Sequence, residues 1–259
     1  MRARRPLDMV TGMNKVKVGF FSFTEITDPS AHREYNEWHQ LDHMPEQFPM
    51  RGTAYGQRWV STPACKAARL VDGELLAPAH YVTLYLFTDP VDETLQEFMD
   101  LGQQLRALGR FFDKRRACMS GPLQWLDAHA APRVLIAPEA LPYRPNRGVY
   151  VFVEEPHTDV DVEVFDAWVR RWHEDEVEAW LAVPGVAGCW SFATAPRLRN
   201  AGWSTGNRRI TVTYLDDDPI TVAEKLAPLL EARWQDAPVT PVHAGPYETV
   251  VPYQWDWFD

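Results

Sequence analysis

The sequence predicts an α+β fold built from two βαββαβ units whose sheets pack face to face. Three observations predict it: the order of strand-like and helix-like segments repeats once along the 259 residues, a residue pattern repeats with it, and several strand segments are apolar at both alternating sets of positions. A strand with one face in water would alternate apolar and polar residues. We therefore expect helices on one side of each sheet and the other sheet on its opposite side.

The first unit is expected at residues 15–126, behind a flexible tail at residues 1–14. Segments rich in valine, threonine and aromatic residues predict four strands, and apolar residues at helical spacing predict two helices. The strands are expected at 15–26, 54–61, 80–88 and 114–126, and the helices at 31–48 and 91–109. Ser30 and Asp92 are candidate N-caps, and Pro45 is expected to break or kink the end of the first helix.

The second unit repeats this order at residues 148–259, after a proline-rich connector at 127–147. Its strands are expected at 148–154, 186–194, 208–215 and 240–250, and its helices at 160–182 and 218–235. Back in the first unit, the segment 62–79 has few bulky residues and two prolines, so it is expected to be a loop that can act as a lid.

A residue pattern in the first helix recurs in the matching helix of the second unit. An aromatic residue, a tryptophan, a histidine and a glycine keep one order in two sets, which are Tyr35, Trp38, His43 and Gly52, and Phe165, Trp168, His173 and Gly185. From histidine to glycine is nine residues in the first set and 12 in the second. A difference of three is close to one helical turn, so the second helix is expected to be longer. The pattern indicates an internal duplication.

The composition excludes several classes of partner. The net charge of −10 and the pI near 5.3 argue against a nucleic acid or an anionic membrane, and no stretch is long and apolar enough to span a bilayer. Three widely spaced cysteines favour reduced thiols in a cytoplasmic protein. There is no glycine-rich phosphate loop, so nucleotide cofactors held by such loops are not expected. A small hydrophobic substrate is the expected partner, and the sequence is compatible with a homo-oligomer.

The repeated residues and their neighbours also carry a family resemblance. They are Tyr35, Trp38, His43, Pro45, Glu46 and Gly52 in the first unit, and Phe165, Asp166, Ala167, Trp168, His173 and the run 181–186 in the second. They resemble the dimeric α/β barrel superfamily of ferredoxin-like folds, and within it the EthD-like group. The resemblance implies an intramolecular dimeric α/β barrel over residues 15–250. Related barrels include isomerases, polyketide cyclases, monooxygenases and haem-handling enzymes, so the resemblance is specific for the fold rather than the reaction.

His43 is the first candidate for a catalytic residue. An imidazole titrates near neutrality and can shuttle a proton at the mouth of an apolar cleft, and the resemblance implies that a cleft between the first helix and the sheet holds the substrate. The alternative is a histidine that only orders the helix-to-strand turn. His173 is the matching candidate in the second unit, but its acidic neighbours also suit a solvated helix face.

A stripe of the first helix carries His39, Asp42, His43 and Glu46 at i, i+3, i+4 and i+7. Two histidines at this spacing with a nearby carboxylate can bind a divalent ion. A polar helix face explains the same residues, and Gln40 stands where the protease motif has glutamate, so no metal site is expected.

Several aromatic and histidine side chains are candidates to contact a substrate. Tyr35 and Tyr85 are the candidates for hydrogen bonding to an oxyanion, and Trp38 and Trp59 for an apolar wall. His39, Tyr55, His80, Trp168 and His173 complete the set of candidate binding residues. The alternative is that these side chains only fill a tightly packed core.

Three functions are compatible with these residues. The first is a cofactor-independent enzyme that isomerises, cyclises or eliminates a small aromatic, polyketide-like or lactone substrate, with His43 as general acid and base. The second is a haem-dependent or cofactor-free monooxygenase, in which a histidine near aromatic residues is compatible with an axial ligand. The third is a module that binds an apolar metabolite without converting it.

Overall fold

Eight antiparallel strands close into a barrel in the computed structural model, which describes residues 15–161, 163–165, 167, 176–198 and 203–259. The strands of the sheet are β1 (Val16–Ile26), β2 (Thr53–Val60), β3 (Val71–Asp72), β4 (Tyr81–Thr88), β5 (Arg115–Ala130), β6 (Gly148–Pro156), β7 (Val186–Ala193), β8 (Arg209–Leu215) and β9 (Val239–Thr249). Their order is β2-β4-β1-β5-β7-β8-β6-β9, and β9 pairs with β2 to close the ring. The short β3 pairs farther along β9.

The barrel consists of two four-stranded sheets joined along both edges. One seam is β5 with β7, and the other is β2 with β9. The described α-helices are α1 (His32–Trp38), α2 (Pro63–Ala67), α3 (Val91–Ala107), α4 (Val177–Ala182) and α5 (Pro219–Trp234). The α+β class and the intramolecular dimeric α/β barrel are confirmed. Because β5 pairs first with β1 and then with β7, it continues past the expected start of the connector at residue 127.

Side chains on β1 alternate between two covered faces. Phe21 and Phe23 pack inside the barrel with Trp190 of the opposite sheet, whereas Val18 and Phe20 point outward to the helices. The expectation of helices on one side and a sheet on the other is therefore confirmed. It explains why this strand is apolar at both sets of positions.

The first helix differs from its expected form. A regular α-helix spans His32–Trp38, and the chain then continues as a π-helical turn at His39–His43 and a 3-10 turn at Pro45–Gln47. Met44 donates its N–H to the carbonyl of His39 at 2.8 Å, so the ring of the hydrogen bond holds one residue more than in an α-helix. Pro45 thus starts the last turn, where its missing N–H costs nothing.

The expected N-caps are corrected by the structure. Asp28 accepts a hydrogen bond from the N–H of Ser30 in the turn before α1, and no side chain caps α1 itself. Pro90 precedes α3, so Asp92 lies in the first turn of that helix, where its charge suits the helix dipole.

The segment at 62–79 is not an open loop. It contains α2 and β3, and it packs Cys65, Leu76 and Ala79 completely out of solvent. Its β3 pairs with Ala244 and His243 of β9, at the seam of the barrel. The lid interpretation is therefore wrong for this segment, because its apolar side chains are already buried.

The residues after β9 return to the first unit and brace α1. The ring of Phe258 stacks on His32, with centroids 3.7 Å apart and planes at 14°. Trp255 donates its indole N–H to Oε1 of Gln40 at 2.9 Å. The helix that begins the predicted site is thus held from both sides, by the sheet and by this C-terminal segment.

Two parts of the prediction fall outside the described residues. They are the N-terminal tail at 1–14 and a part of the expected helix at 160–182, mainly residues 168–175, which include Trp168 and His173. The duplication and the boundaries of the two units stay predictions. Among the helices of the described residues, none combines the length and apolar character that crossing a membrane requires.

Candidate active site

A cleft of about 340 Å³ lies in the first unit, between the outer face of its sheet and the helical segments His39–His43 and α3. Phe20 of β1 and Tyr85 of β4 form its floor, and Phe98 and Gly102 of α3 form one side. Trp203 from the second half of the chain packs edge-on against Phe20, with centroids 5.1 Å apart. Both halves of the barrel therefore contribute to this cleft.

Two imidazoles face the cleft from the π-helical turn. His39 and His43 are four residues apart, and their rings are 5.1 Å apart and nearly perpendicular. The His43 ring stacks on Trp38 on one side, at 4.6 Å, and meets the ring edge of Phe111 at 5.5 Å. Trp38 is in turn fixed by its indole N–H, which donates to the carbonyl of Arg110 at 2.8 Å.

Both imidazoles are neutral at physiological pH. Burial lowers the pKa of His43 from 6.5 to about 3, and the positive charges of Arg115 and Arg58 act in the same direction. Burial also lowers the pKa of His39 well below its usual range. Nδ1 of each ring is buried and has no hydrogen-bond partner among the described residues. A neutral imidazole with a free ring nitrogen can accept a proton or bind a metal-containing cofactor.

Two buried phenols lie on the same side of the sheet. The hydroxyl groups of Tyr35 and Tyr85 lack hydrogen-bond partners in the described part of the chain, and burial raises the pKa of Tyr85 far above its usual value. Tyr35 is fully buried between His39 and Tyr81, and Tyr85 lines the cleft itself. Tyr85 is therefore a neutral donor. Only Tyr85 is placed to reach a ligand directly.

Three guanidinium groups lie at increasing depth in and below the cleft. Arg106 is exposed at its mouth, Arg115 lines its wall, and Arg58 is 2% exposed below Tyr35. Arg58 donates to Oδ1 of Asn36 at 2.9 Å, while its Nε and Nη1 and the Nε of Arg115 are buried without a described partner. Burial lowers the pKa of Arg115.

The nearby carboxylates turn away from these groups. Asp42 and Glu46 both bind Arg110 outside the cleft, the second at 2.7 Å. The helix stripe with two histidines and two acids is therefore divided between two surfaces: His39 and His43 face the cleft, and the two acids face the solvent side. Among the described residues no group of three histidine, cysteine or acidic side chains could hold a metal ion.

Three of the predicted binding residues lie elsewhere. Trp59 is opposite Val82 in the β2–β4 register and faces the barrel interior, where its N–H donates to Asn146 at 3.0 Å. Tyr55 shares that face and packs on Tyr143. His80 accepts a hydrogen bond from the N–H of Ile26 at 3.0 Å, beside the C-terminal segment. The structure therefore places these three side chains outside the cleft. For Tyr55 and Trp59 the reason is the alternation of β2, which presents Gly56 and Arg58 to the helices instead.

Four residues in and below the cleft were not predicted from the sequence: the arginines Arg58 and Arg115 and the aromatic residues Phe111 and Trp203. Arg58 and Arg115 lie on strands, where an arginine usually indicates an exposed position, and Phe111 follows the end of α3. One signal was present: Arg58 is followed directly by the apolar residues Trp59 and Val60 at the end of its strand. Trp203 comes from a segment that is distant in sequence, and no local pattern indicated it.

Comparisons with known proteins support the fold and do not give a family. No family model matches the sequence, and no curated protein matches it. A solved structure provisionally named a chlorite dismutase is 8% identical, with a TM-score of 0.50, 92% of this chain and 96% of that chain being covered. A protein from Fusobacterium nucleatum provisionally named a monooxygenase is 9% identical, with a TM-score of 0.51 and the same coverage, 92% and 96%.

A third similar structure is a haem-binding protein from Thermus thermophilus. It is 12% identical to this chain, with a TM-score of 0.42, and 91% of this chain and 92% of that chain are covered. The first two similarities, at 8% and 9% identity, show the dimeric α/β barrel fold alone.

Proposed function

We propose that this protein is an enzyme that oxidises a small aromatic substrate in the first-unit cleft, with His43 as the proton acceptor. One observation carries the proposal. Around an aromatic cleft, the polar atoms Tyr85 Oη, Thr83 Oγ1, Arg115 Nε and the Nδ1 atoms of His39 and His43 are all buried without a described partner. Buried polar groups are nearly always paired in native proteins, so such a cluster is best explained by a ligand that pairs with them.

The walls of the cleft suit a flat ring. Phe20 packs against Phe98 in a tilted arrangement and against Trp203 edge-on, with centroid distances of 4.5 and 5.1 Å. Aromatic rings bind other rings through such contacts and contribute about 0.5–1.5 kcal/mol per pair beyond the burial of apolar area. The volume of about 340 Å³ is at the lower end of ordinary ligand sites, which favours a substrate of one or two rings.

His43 is neutral and so can accept a proton, but a pKa of about 3 makes it a weak base until negative charge develops beside it. It is neutral because its burial disfavours the imidazolium, and negative charge that develops on a bound substrate would raise its pKa during the reaction. A ring nitrogen of His43 would take the proton.

The oxidative direction is supported by the two barrels of similar fold, one provisionally named a monooxygenase and the other a chlorite dismutase. For a phenolic substrate the overall step is balanced with dioxygen alone. The phenol and O₂ give a quinone and water: one oxygen atom enters the ring carbon as a carbonyl, and the other leaves as water with the phenolic and the ring hydrogen. The substrate supplies all the electrons, and His43 moves the phenolic proton.

The experiment is to measure oxygen consumption with a set of one-ring and two-ring phenols. We expect wild-type protein to consume oxygen, and His43→Gln to be slower by a factor of about 10²–10⁴. His157→Gln, at an exposed histidine, is the control and should be unaffected. Conversion of the same substrates without oxygen uptake would instead support the isomerase, cyclase or lyase reactions. Tight binding without any product would support a binding module.

Haem is the second candidate, because the site contains neutral imidazoles, the donor that haem iron takes from a protein. A group of four pyrrole rings is larger than the cleft of about 340 Å³, so haem would bind only if the cleft widened. His39 or His43 would hold the iron, and Arg115 and Arg106 would meet the carboxylates of the group. Haem would supply one-electron and oxygen chemistry when bound. The test is the absorption spectrum after adding haemin: a Soret band that His43→Ala shifts supports this candidate, and an unchanged haemin spectrum excludes it.

A further inference from the structure

We infer that the substrate of the first-unit cleft is an aromatic carboxylate, and that Arg115 binds its carboxylate group. The inference rests on the proposed function, because it names the substrate class of the same site. The evidence is the excess of positive charge around the cleft. The proposed oxidation does not itself require this charge.

The cleft is positive although the protein carries a net charge of −10. Arg106 and Arg115 line it, Arg58 lies below it, and no aspartate or glutamate is among its lining residues. Within the described part of the chain, none of these three arginines has a carboxylate within 4.0 Å. Arg110, in contrast, is neutralised by Asp42 and Glu46 outside the cleft. The uncompensated positive charge is therefore concentrated where a ligand would bind.

Contacts with aromatic rings compensate these charges only in part. Phe111 lies under two guanidinium groups at once, with Arg106 at 4.1 Å and Arg115 at 4.4 Å from its centroid. Arg58 lies over Tyr35 at 5.0 Å and Tyr81 at 5.4 Å. A ring face attracts the charge but accepts no in-plane hydrogen bond, so the buried Nε atoms of Arg58 and Arg115 remain without acceptors among the described residues.

The guanidinium fork selects the kind of anion. Its N–H groups lie in one plane at a spacing that matches the two oxygens of a carboxylate, and a buried pair of this kind is stronger than a pair in water. Arg115 also lies over the ring of Trp38 at 5.8 Å, so its anion would be bound on the same side of the cleft as His43. An aromatic ring on the Phe20 side and a carboxylate at Arg115 together fill the two chemically distinct parts of the site.

The test compares three probes of one shape and three charges: 1-naphthoate, 1-naphthamide and 1-naphthylmethylamine. Binding is measured by calorimetry, and the NMR signals of the His43 ring report whether the probe is in the cleft. We expect naphthoate to bind about tenfold or more tightly than the amide, with the amine weakest, since a charge-assisted bond exceeds a neutral one by about that factor.

Substitutions assign the preference to one residue. Arg115→Gln should bring naphthoate down to the affinity of the amide, and Arg115→Lys should keep part of the preference, which shows that the fold is intact. Arg116→Gln is the matched control: it is the next residue of β5, its side chain is 62% exposed, and it pairs with Glu25, so all three affinities should stay unchanged.

Two results would overturn the inference in different ways. If the amide binds in the cleft as tightly as the acid, and Arg115→Gln changes neither, the carboxylate is wrong and the proposed function stands. If none of the probes binds wild-type protein or moves the His43 signals, the aromatic cleft fails as a ligand site, and the proposed function fails with it.

Discussion

The imidazole of His43 lies flat against the indole of Trp38, with ring centroids 4.6 Å apart and planes at 15°. The indole N–H is held from outside by the carbonyl of Arg110, and the side chain of Arg110 binds Asp42 and Glu46. The indole of Trp38, which is fixed by this hydrogen bond, therefore shields one face of the imidazole from water. The main cause of its low pKa, burial, depends on this contact.

Removing the indole should raise the pKa of His43. In Trp38→Ala, water reaches the exposed face of the ring and stabilises the imidazolium, so we expect the pKa to move from about 3 towards 6.5. Titration of the His43 ring signals by NMR measures it. Trp257→Ala, in the C-terminal segment, is the control that should leave this pKa in place. An unchanged value in Trp38→Ala would mean that the arginine charges, and not burial, dominate.

Two glycines near the cleft should respond to alanine in opposite directions. At Gly56 an added Cβ would lie 2.8 Å from Tyr85 and 3.0 Å from Met44, so Gly56→Ala must push the Tyr85 ring into the cleft. We expect a loss of about 1–3 kcal/mol of stability and weaker ligand binding. Denaturant unfolding and the naphthoate affinity measure the two effects.

Gly102 is the matched position on the other wall. It lies inside α3, and a Cβ there would meet only Arg106, at 3.5 Å, an ordinary contact. Gly102→Ala should therefore stabilise the protein by up to about 1 kcal/mol, because alanine is the better helix former. If both substitutions destabilise to the same degree, the packing described for Gly102 is incorrect.

Acid should destabilise the protein below neutral pH. Burial lowers the pKa of His32 and His80 to about 4 and of His43 to about 3, against 6.5 in the unfolded chain. Between these values the unfolded state binds more protons than the folded state, so the free energy of unfolding falls as the pH falls from about 6.5 to 4. Urea unfolding at a series of pH values tests this. Stability that is constant from pH 7 to 5 would contradict the described burial.

The stacking of Phe258 on His32 should stabilise α1. In Phe258→Ala the loss of a ring contact with centroids 3.7 Å apart is expected to cost about 1 kcal/mol and to speed hydrogen exchange in His32–Trp38. Leu135→Ala, at a side chain that is 94% exposed, is the control. Equal exchange in α1 of both variants would show that the C-terminal segment does not support the helix.

The sequence could predict the barrel because its strands are apolar on both faces, as Phe20 and Phe21 show on β1. Because both faces are apolar, however, the sequence does not show on which face of the sheet each side chain lies. Trp59 and Tyr85 belong to paired strands, yet only the register, which places Trp59 opposite Val82 and Gly56 opposite Tyr85, decides that Tyr85 alone faces the helices. Side chains of a strand alternate between the two faces, but when both faces are covered the sequence does not show which set points to the barrel interior.

The candidate site was predictable where the chemistry is local to one helix, as for His39 and His43. It was not predictable where the chemistry comes from strands or from distant segments. Arg58 and Arg115 are brought under the same helix by β2 and β5, which are not neighbours in the sheet, and Trp203 arrives from the second half of the chain. Such groups meet only after the sheet has formed.

The hydrogen bond from Trp255 to Gln40 joins residues 215 apart in sequence. During synthesis, the wall that carries both imidazoles emerges long before the residues that hold it in place, and contacts between such distant segments form slowly. For most of translation, the growing chain therefore lacks the C-terminal contacts that complete the cleft. Substitutions near residue 255, far from any bound molecule, are for this reason expected to reduce the yield of active protein more than the activity of each folded copy.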